Sequence, residues 1–328
     1  MKLPTDHANP LVRALFSFWA PTTRSMRGWA MASVAVNAGI TVTGAAVRVT
    51  GSGLGCPTWP RCTPDSFVPV PHPEVSMLNM LVEFGNRLIT FLVLAVAAAC
   101  VIAVWRLAPR RRSLIGLALL QPVGVLAQAL WGGLVVNTML NPFTVGTHYL
   151  LSTGLTAACW VLYARTGEGD APARRVVHRD IRRLGHVVLA AVFALLVAGV
   201  VVTGTGPHSG DETASRFALD IEAVARLHAD AAYVVVGLTF ALLFALHVSD
   251  SPRPARRAAL ALFGVELAQG AIGYTQYFLA VPAALVMLHV LGSTLVWIAA
   301  LRVVTSLRAR DALPASPAPS PTEARAAV

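Results

Sequence analysis

AQALWGGLVVNTMLNPFTVGTHYLLSTGL (Ala127–Leu155) has a second copy in AQGAIGYTQYFLAVPAALVMLHVLGSTL (Ala268–Leu295). In each copy 20 residues separate a glutamine from a histidine, Gln128 from His148 and Gln269 from His289. A glycine stands four residues after each glutamine (Gly132, Gly273), a proline opens each histidine-bearing segment (Pro142, Pro282), and Ser-Thr follows each histidine at four and five residues. The chain therefore contains an internal repeat, and each unit reads as two apolar segments around a short polar break.

Hydrophobic residues make up 55% of the 328 residues and charged ones 13%, and the mean hydropathy is +0.64. A water-soluble surface cannot be built from that composition, so the expected class is an all-α integral membrane protein. A spanning helix needs roughly 20 mostly apolar residues. Eight such stretches occur, at 28–47, 77–105, 114–136, 142–163, 185–204, 223–247, 257–276 and 282–304. The repeat arranges them as two four-helix bundles.

The formal charge of +10 would suggest nucleic acid in a soluble protein, but the arginines sit in alternate connections. They gather in the N-terminal tail, around 106–112, 165–183 and 253–257, and in the C-terminal tail. The intervening loops 48–76 and 205–222 carry Asp65, Glu74, Asp211, Glu212, Asp220 and Glu222. By the positive-inside rule both termini are cytoplasmic, and the charge encodes topology rather than a nucleic-acid site. The expected boundaries are a cytoplasmic tail 1–27, a first four-helix domain 28–164, a cytoplasmic linker 165–184, a second four-helix domain 185–305 and a disordered cytoplasmic tail 306–328. The apolar patch Leu11–Ala20 is too short to span and suits the inner interface. The first long apolar segment starts too late for a cleaved signal peptide. From Ala312 onward the Pro/Ala/Ser-rich tail predicts disorder.

The halves match beyond the opening stretch. Helices one and five both end in Val-Thr-Gly and a glycine-rich turn, and EFGNR (83–87) in helix two corresponds to ARLHA (225–229) in helix six. Asn86 thus takes the place that His228 holds in the second half. Of nine histidines, His7, His72, His178 and His208 fall in tails or loops, and His186 and His247 at helix ends. His148, His228 and His289 share one depth, about 6–8 residues or roughly 10 Å inside the outer surface. Polar side chains in hydrocarbon are costly and find partners. One such histidine alone reads as an interhelical hydrogen bond; three at equivalent places in a repeat favour ligation. Facing imidazoles in a four-helix core, with no Cys or carboxylate to complete a tetrahedral site, suit a haem better than zinc. His228 and His289 would hold a haem b. His148 faces Asn86, so iron there would lack a second strong ligand, and an open position is where oxygen chemistry occurs.

Glu83 lies about one turn before Asn86 and is a functional candidate by depth. The alternative is a salt bridge to Arg87 or Arg226; those arginines could instead hold haem propionates. Gln128 and Gln269 read as bonds across the bundle. Cys100 and Cys159 read as packing residues. Cys56 and Cys62 share an oxidising outer loop, which favours a disulfide. The glycine run 51–55 is a turn rather than a phosphate loop, because no strand precedes it.

VTGSGLGCPTWPRC (49–62), EFGNR (83–87), THYLLSTGL (147–155), RLHADAAY (226–233) and LHVLGSTLVW (288–297) together resemble the heme A synthases of the CtaA type, over about residues 28–304. The resemblance implies eight transmembrane helices, a C-terminal haem b domain and an N-terminal domain for the substrate, haem O. The implied reaction oxidises the C8 methyl of haem O to the formyl of haem A by successive hydroxylations. His228 and His289 then ligate haem b, His148 lies on the substrate haem, Glu83 is the essential acid, and Cys56 and Cys62 form the outer-loop pair. Many members carry a histidine where this chain has Asn86. Haem O synthase, a haem-A-containing terminal oxidase and its assembly factors are the implied partners, besides the lipid bilayer. Lys2 as the sole lysine hints at a GC-rich bacterial genome, and hence at a bacterial cell membrane. The competing readings are a non-catalytic dihaem cytochrome that relays electrons, which leaves Glu83, Asn86 and the cysteine loop unexplained, and a transporter built from parallel repeats.

Overall fold

The computed structural model describes residues 21–71, 73 and 75–311. Leu11–Ala20, His7, His72, Glu74 and the tail from Ala312 lie outside the described residues, and so do the expectations placed on them. The described chain forms eight long α-helices: α1 (Thr23–Val49), α2 (Met77–Arg106), α3 (Ile115–Asn137), α4 (Pro142–Thr166), α5 (Arg179–Thr205), α6 (Ile221–Val248), α7 (Arg253–Phe278) and α8 (Ala283–Ser306). Helices dominate because a chain in lipid must satisfy its backbone within each segment.

Seven of the eight are long and apolar enough to cross a membrane, and the protein is a multi-pass membrane protein. The exception among the eight expected spans is α4. Its 25 residues would reach about 37 Å at about 1.5 Å per residue, but Thr144, Thr147, His148, Tyr149, Ser152, Thr153 and Thr156 dilute its apolar character. Most of the hydroxyls have protein partners: Thr144 and Tyr149 meet Thr138 and Ser293, and Ser152, Thr153 and Thr156 donate to carbonyls one turn back. A helix whose polar face is enclosed by protein does not need an apolar composition all round.

The helices of each half close into a ring. In the first, α1 packs on α2 and α4, and α3 on α2 and α4; in the second, α5 packs on α6 and α8, and α7 on α6 and α8. The rings meet through α1 on α8, α4 on α5 and α4 on α8. One apolar core runs through both, from Val34, Val93 and Val125 to Val192, Leu242 and Val296.

The hairpins that join α3 to α4 and α7 to α8 repeat in backbone detail. Met139 and Leu140 have φ of 51° and 55°, and Ala280 and Val281 have 59° and 61°. Left-handed backbone at non-glycine residues is uncommon. Here it lets the turn close on itself, Leu140 N–H to Val135 O in one half and Val281 N–H to Gln276 O in the other.

At the opposite end of the helices, Arg174–Arg175 (β1) pairs antiparallel with Arg308–Ala309 (β2). Arg111 and Arg165 both reach Asp170, at 3.0 and 3.4 Å, and Glu168 pairs with Arg165, Arg308 and Arg310. The segments expected as a linker (165–184) and as the start of a disordered tail (306–311) are thereby tied together, and α5 begins inside that linker at Arg179.

Candidate functional site

Each candidate histidine lies against a glycine of a neighbouring helix. Side chains built at Gly132 and Gly273 would meet the rings of His148 and His289 at 3.5 and 3.2 Å, and one at Gly199 would meet His228 at 3.2 Å. Bare backbone on α3, α7 and α5 makes room for three rings inside helical bundles that are otherwise closely packed. The repeated glutamines fix the helices that carry two of these rings. Gln128 Nε2 donates to the His148 carbonyl at 3.3 Å and to Ser152 Oγ at 2.6 Å, and Gln269 Nε2 donates to the His289 carbonyl at 2.6 Å. The spacing of 20 residues in sequence is thus a cross-helix bond to the carbonyl of the histidine itself, as the bundle reading of the glutamines expects.

His228 and His289 come together across the second ring, with ring centres 6.3 Å apart and planes at 66°. The Nδ1 atoms of His148, His228 and His289 are buried without a hydrogen-bond partner; the His228 ring also lies beside the Leu195 carbonyl, in looser geometry. Buried polar atoms are almost always satisfied, so three orphans at equivalent places require a reason. Two imidazoles that bind one first-row ion from opposite sides at about 2.0–2.1 Å per bond have ring centres roughly 6–6.5 Å apart. The observed pair could share a single ion, and a haem iron would suit two imidazoles that face each other in a helical core. Among the described residues no group of three or more His, Cys, Asp or Glu could hold a metal ion by itself.

The first ring is built differently. Asn86 Oδ1 accepts a 2.7 Å hydrogen bond from Thr43 on α1, and among the described residues no hydrogen bond joins it to His148. Glu83 is buried at 5% exposure and faces the loop that connects α1 to α2. Its carboxylate accepts from Cys56 N–H at 2.7 Å and from Arg87 Nε and Nη2 at 3.1 and 2.6 Å. Arg87 also donates to the carbonyls of Cys56, Thr58 and Arg61 at 2.9, 3.0 and 3.2 Å. The salt-bridge alternative for Glu83 is present, and the fork of Arg87 is filled by Glu83 and the loop.

That loop carries the disulfide Cys56–Cys62. Both cysteines pack on Met80 of α2, and Trp59 lies flat against Gly133 of α3, where a side chain would overlap its rings. Gly55 approaches the backbone of Asn79 so closely that no Cβ fits. Glu83, Arg87 and the disulfide therefore form one unit on the first ring. Arg226 stands apart, exposed at the start of α6 in a groove with Asp220, Glu222 and Asp230.

Sequence reading passed over Glu266. It is 6% exposed in the middle of α7, accepts from Thr239 Oγ1 at 2.9 Å, and has an unpartnered Oε2. The signal was available: a lone carboxyl in an apolar segment, the same reason that singled out Glu83.

Comparison with known proteins bears on the same region. The chain is 32% identical over 142 residues to a protein named heme A synthase from Geobacillus kaustophilus (strain HTA426), a match that spans 42% of this chain and 42% of that relative. Residues 27–301, which hold all eight helices but for their outermost turns, match the family described as COX15-CtaA, cytochrome oxidase assembly protein. With its repeated helical rings and paired histidines, the chain belongs to the COX15-CtaA family.

Proposed function

We propose that the protein is a heme A synthase that oxidises the C8 methyl of haem O to the formyl of haem A for terminal oxidases. The observation that carries this reading is the unlike pair of histidine sites on one repeated scaffold. His228 and His289 face each other at 6.3 Å, and their Nδ1 atoms lack a well-formed hydrogen bond, while the first half has His148 with Asn86 in the place of His228, and Asn86 is held by Thr43. In this reading all eight helices span a bacterial cell membrane as two repeated four-helix bundles, residues 28–164 for the substrate haem and 185–305 for haem b. The disulfide end faces outward and both termini face the cytoplasm.

Bound haem supplies redox and oxygen chemistry that no side chain here provides. The chain supplies position and enclosure. His228 and His289 would hold haem b and His148 the substrate haem, with the glycines beneath the rings and the glutamine bonds to the His148 and His289 carbonyls setting their orientation. Glu83 and Arg87 clamp the Cys56–Cys62 loop over the first ring, which shields the reacting edge from water. Glu83 can move a proton at that face only when its carboxylate leaves the guanidinium, so the acid role and the clamp are linked. The donors of Arg87 are filled, which leaves Arg226 as the candidate of the two for haem propionates.

Haem extraction from the purified protein tests the reading. Haem b together with haem O or haem A is the expected result. Haem b alone would support the relay cytochrome instead, and no haem would support the transporter.

A further inference from the structure

Helices α4 and α8 carry His148 and His289 and lie against each other where the rings meet. Tyr149, the residue after His148, reaches across to Ser293 with its hydroxyl 3.0 Å from Ser293 Oγ. Ser293 Oγ in turn donates to the Val290 carbonyl at 2.8 Å, and Val290 follows His289 in the chain. Covalent bonds and two hydrogen bonds thus run without a gap from one histidine to the other. Two further side-chain bonds between these helices, Trp297 Nε1 to the Thr153 carbonyl at 3.0 Å and Trp160 Nε1 to Thr305 Oγ1 at 3.3 Å, lie further along the chain from both histidines. Beside the Tyr149 contact is a cavity of about 10 Å³ lined by Thr41, Tyr149, Thr153, Thr156, Thr294 and Trp297, hardly the volume of one water.

The repeat isolates this contact as a departure from symmetry. The counterpart of Tyr149 is Val290, 141 residues later, and that of Ser293 is Ser152. Ser152 stays within its own half, where it accepts from Gln128 at 2.6 Å. Ser293 is turned across the seam. A buried tyrosine hydroxyl usually finds a hydrogen-bond partner; Thr153 of its own helix lies near this one, and the well-formed bond is to Ser293 of the other half.

We propose that Tyr149 and Ser293 form the bridge by which electrons pass between the two histidine sites; this rests on the two-haem reading above. One electron at a time leaves the group held by His228 and His289 and arrives at the group held by His148. Tyr149 is neither oxidised nor reduced, and no bond is made or broken in the bridge. Its part is to close the gap between the helices with a hydrogen bond rather than a van der Waals contact.

The test uses the purified protein with its haems in place. Haem content comes first: fewer than two haems per chain in the unaltered protein would overturn the two-haem reading and the bridge with it. With two present, the second-half haem is reduced by a light-activated ruthenium dye, and its reoxidation by the first-half haem is followed by absorbance. Tyr149→Phe and Ser293→Ala are each expected to slow that transfer several-fold, with both haem spectra and midpoint potentials unchanged, and the double variant should be no slower than either single one. Transfer at the unaltered rate in Tyr149→Phe, with both haems retained, overturns the bridge. So does slowing in both single variants that is accompanied by shifted potentials, which would make the pair a packing contact.

Discussion

The two halves share a scaffold and differ in what they leave unsatisfied. Both have a histidine on a glycine, a glutamine on the histidine carbonyl and the same left-handed turn. The second half then presents two histidine rings with centres 6.3 Å apart. The first half puts Asn86 where the second ring would be and ties it to Thr43. It also adds a clamp, Glu83 with Arg87, that fastens a disulfide loop on the ring. Deeper in, the polarity reverses: Thr239 and Glu266 bond in the core of the second half, where the first half has Ala97, by the 142-residue offset of Asn86 and His228, and Val125, by the 141-residue offset of His148 and His289. Under the proposed function, one half would hold its group between two histidines, and the other would hold one from a single histidine beneath the clamped loop.

The largest expected effect of breaking that difference is loss of a cofactor. His228→Ala or His289→Ala should remove the low-spin haem b from the purified protein, because either leaves one imidazole where the geometry provides for two. A normal low-spin b spectrum in both variants would refute the pairing. Next in size is the clamp. Glu83→Gln keeps an acceptor for Cys56 N–H but removes the charge that Arg87 meets, and Arg87→Ala releases three loop carbonyls. Both should retain haem b and accumulate haem O or a partly oxidised product. A loss confined to Glu83→Gln would show that the carboxyl acts on protons rather than through the loop.

A third variant pair converts one half toward the other. Asn86→His alone meets Thr43, whereas His228 meets the bare backbone of Gly199. Asn86→His with Thr43→Gly should therefore give the first-half haem a bis-histidine low-spin spectrum and slow turnover, at a cost of about 1 kcal/mol for the helical glycine. The single change should give a weaker or mixed spectrum. If the double variant shows no low-spin gain, the room beneath His228 is not what lets the second half hold two rings.

How much of this was legible in the sequence follows from the kind of signal each feature leaves. Helix number and order were legible because spans are long apolar runs, and the paired His228 and His289 because a repeat marks equivalent positions. The partial exception of α4 was not, because its hydroxyls take partners on its own and neighbouring helices, which hydropathy does not record. Thr43 as the partner of Asn86 and Arg87 as the holder of three loop carbonyls depend on how α1, α2 and the loop meet, and no spacing encodes that. Glu266 was visible and overlooked, because it has no counterpart in the other half.

Glu266 offers a stability test of the same comparison. Thr239→Ala should destabilise the protein by about 1–3 kcal/mol, since it strips the buried carboxyl of its hydrogen-bond donor. The double variant Thr239→Ala with Glu266→Val copies the first half at both positions and should be nearly neutral, because both polar partners go together. Thermal unfolding in detergent distinguishes the two. Equal losses in the single and double variants would mean that the carboxyl contributes something beyond a satisfied pair.

The smallest effect lies at the arginine-rich end. Hydrogen bonds from Arg111 and then Ser113 hold the Asp170 carboxyl below the usual carboxylate range. A group whose folded pKa is depressed contributes stability that is fully present above its unfolded value, about 3.9, and lost as pH falls through the folded one. Asp170 is 46% exposed in its side chain, so solvent screens the pairs and the contribution is small. Unfolding temperature should accordingly differ little between the unaltered protein and Asp170→Asn at neutral pH, and any difference should be level down to about pH 4 and shrink below it. The buried guanidiniums of Arg111 and Arg165 keep carbonyl partners in the variant, among them Arg165, Glu168 and Gly169, which is why the change should be mild. A difference that grew on acidification would reverse the sign required by a depressed carboxyl and would move the anchoring of this end from Asp170 to the Glu168 cluster with Arg308 and Arg310.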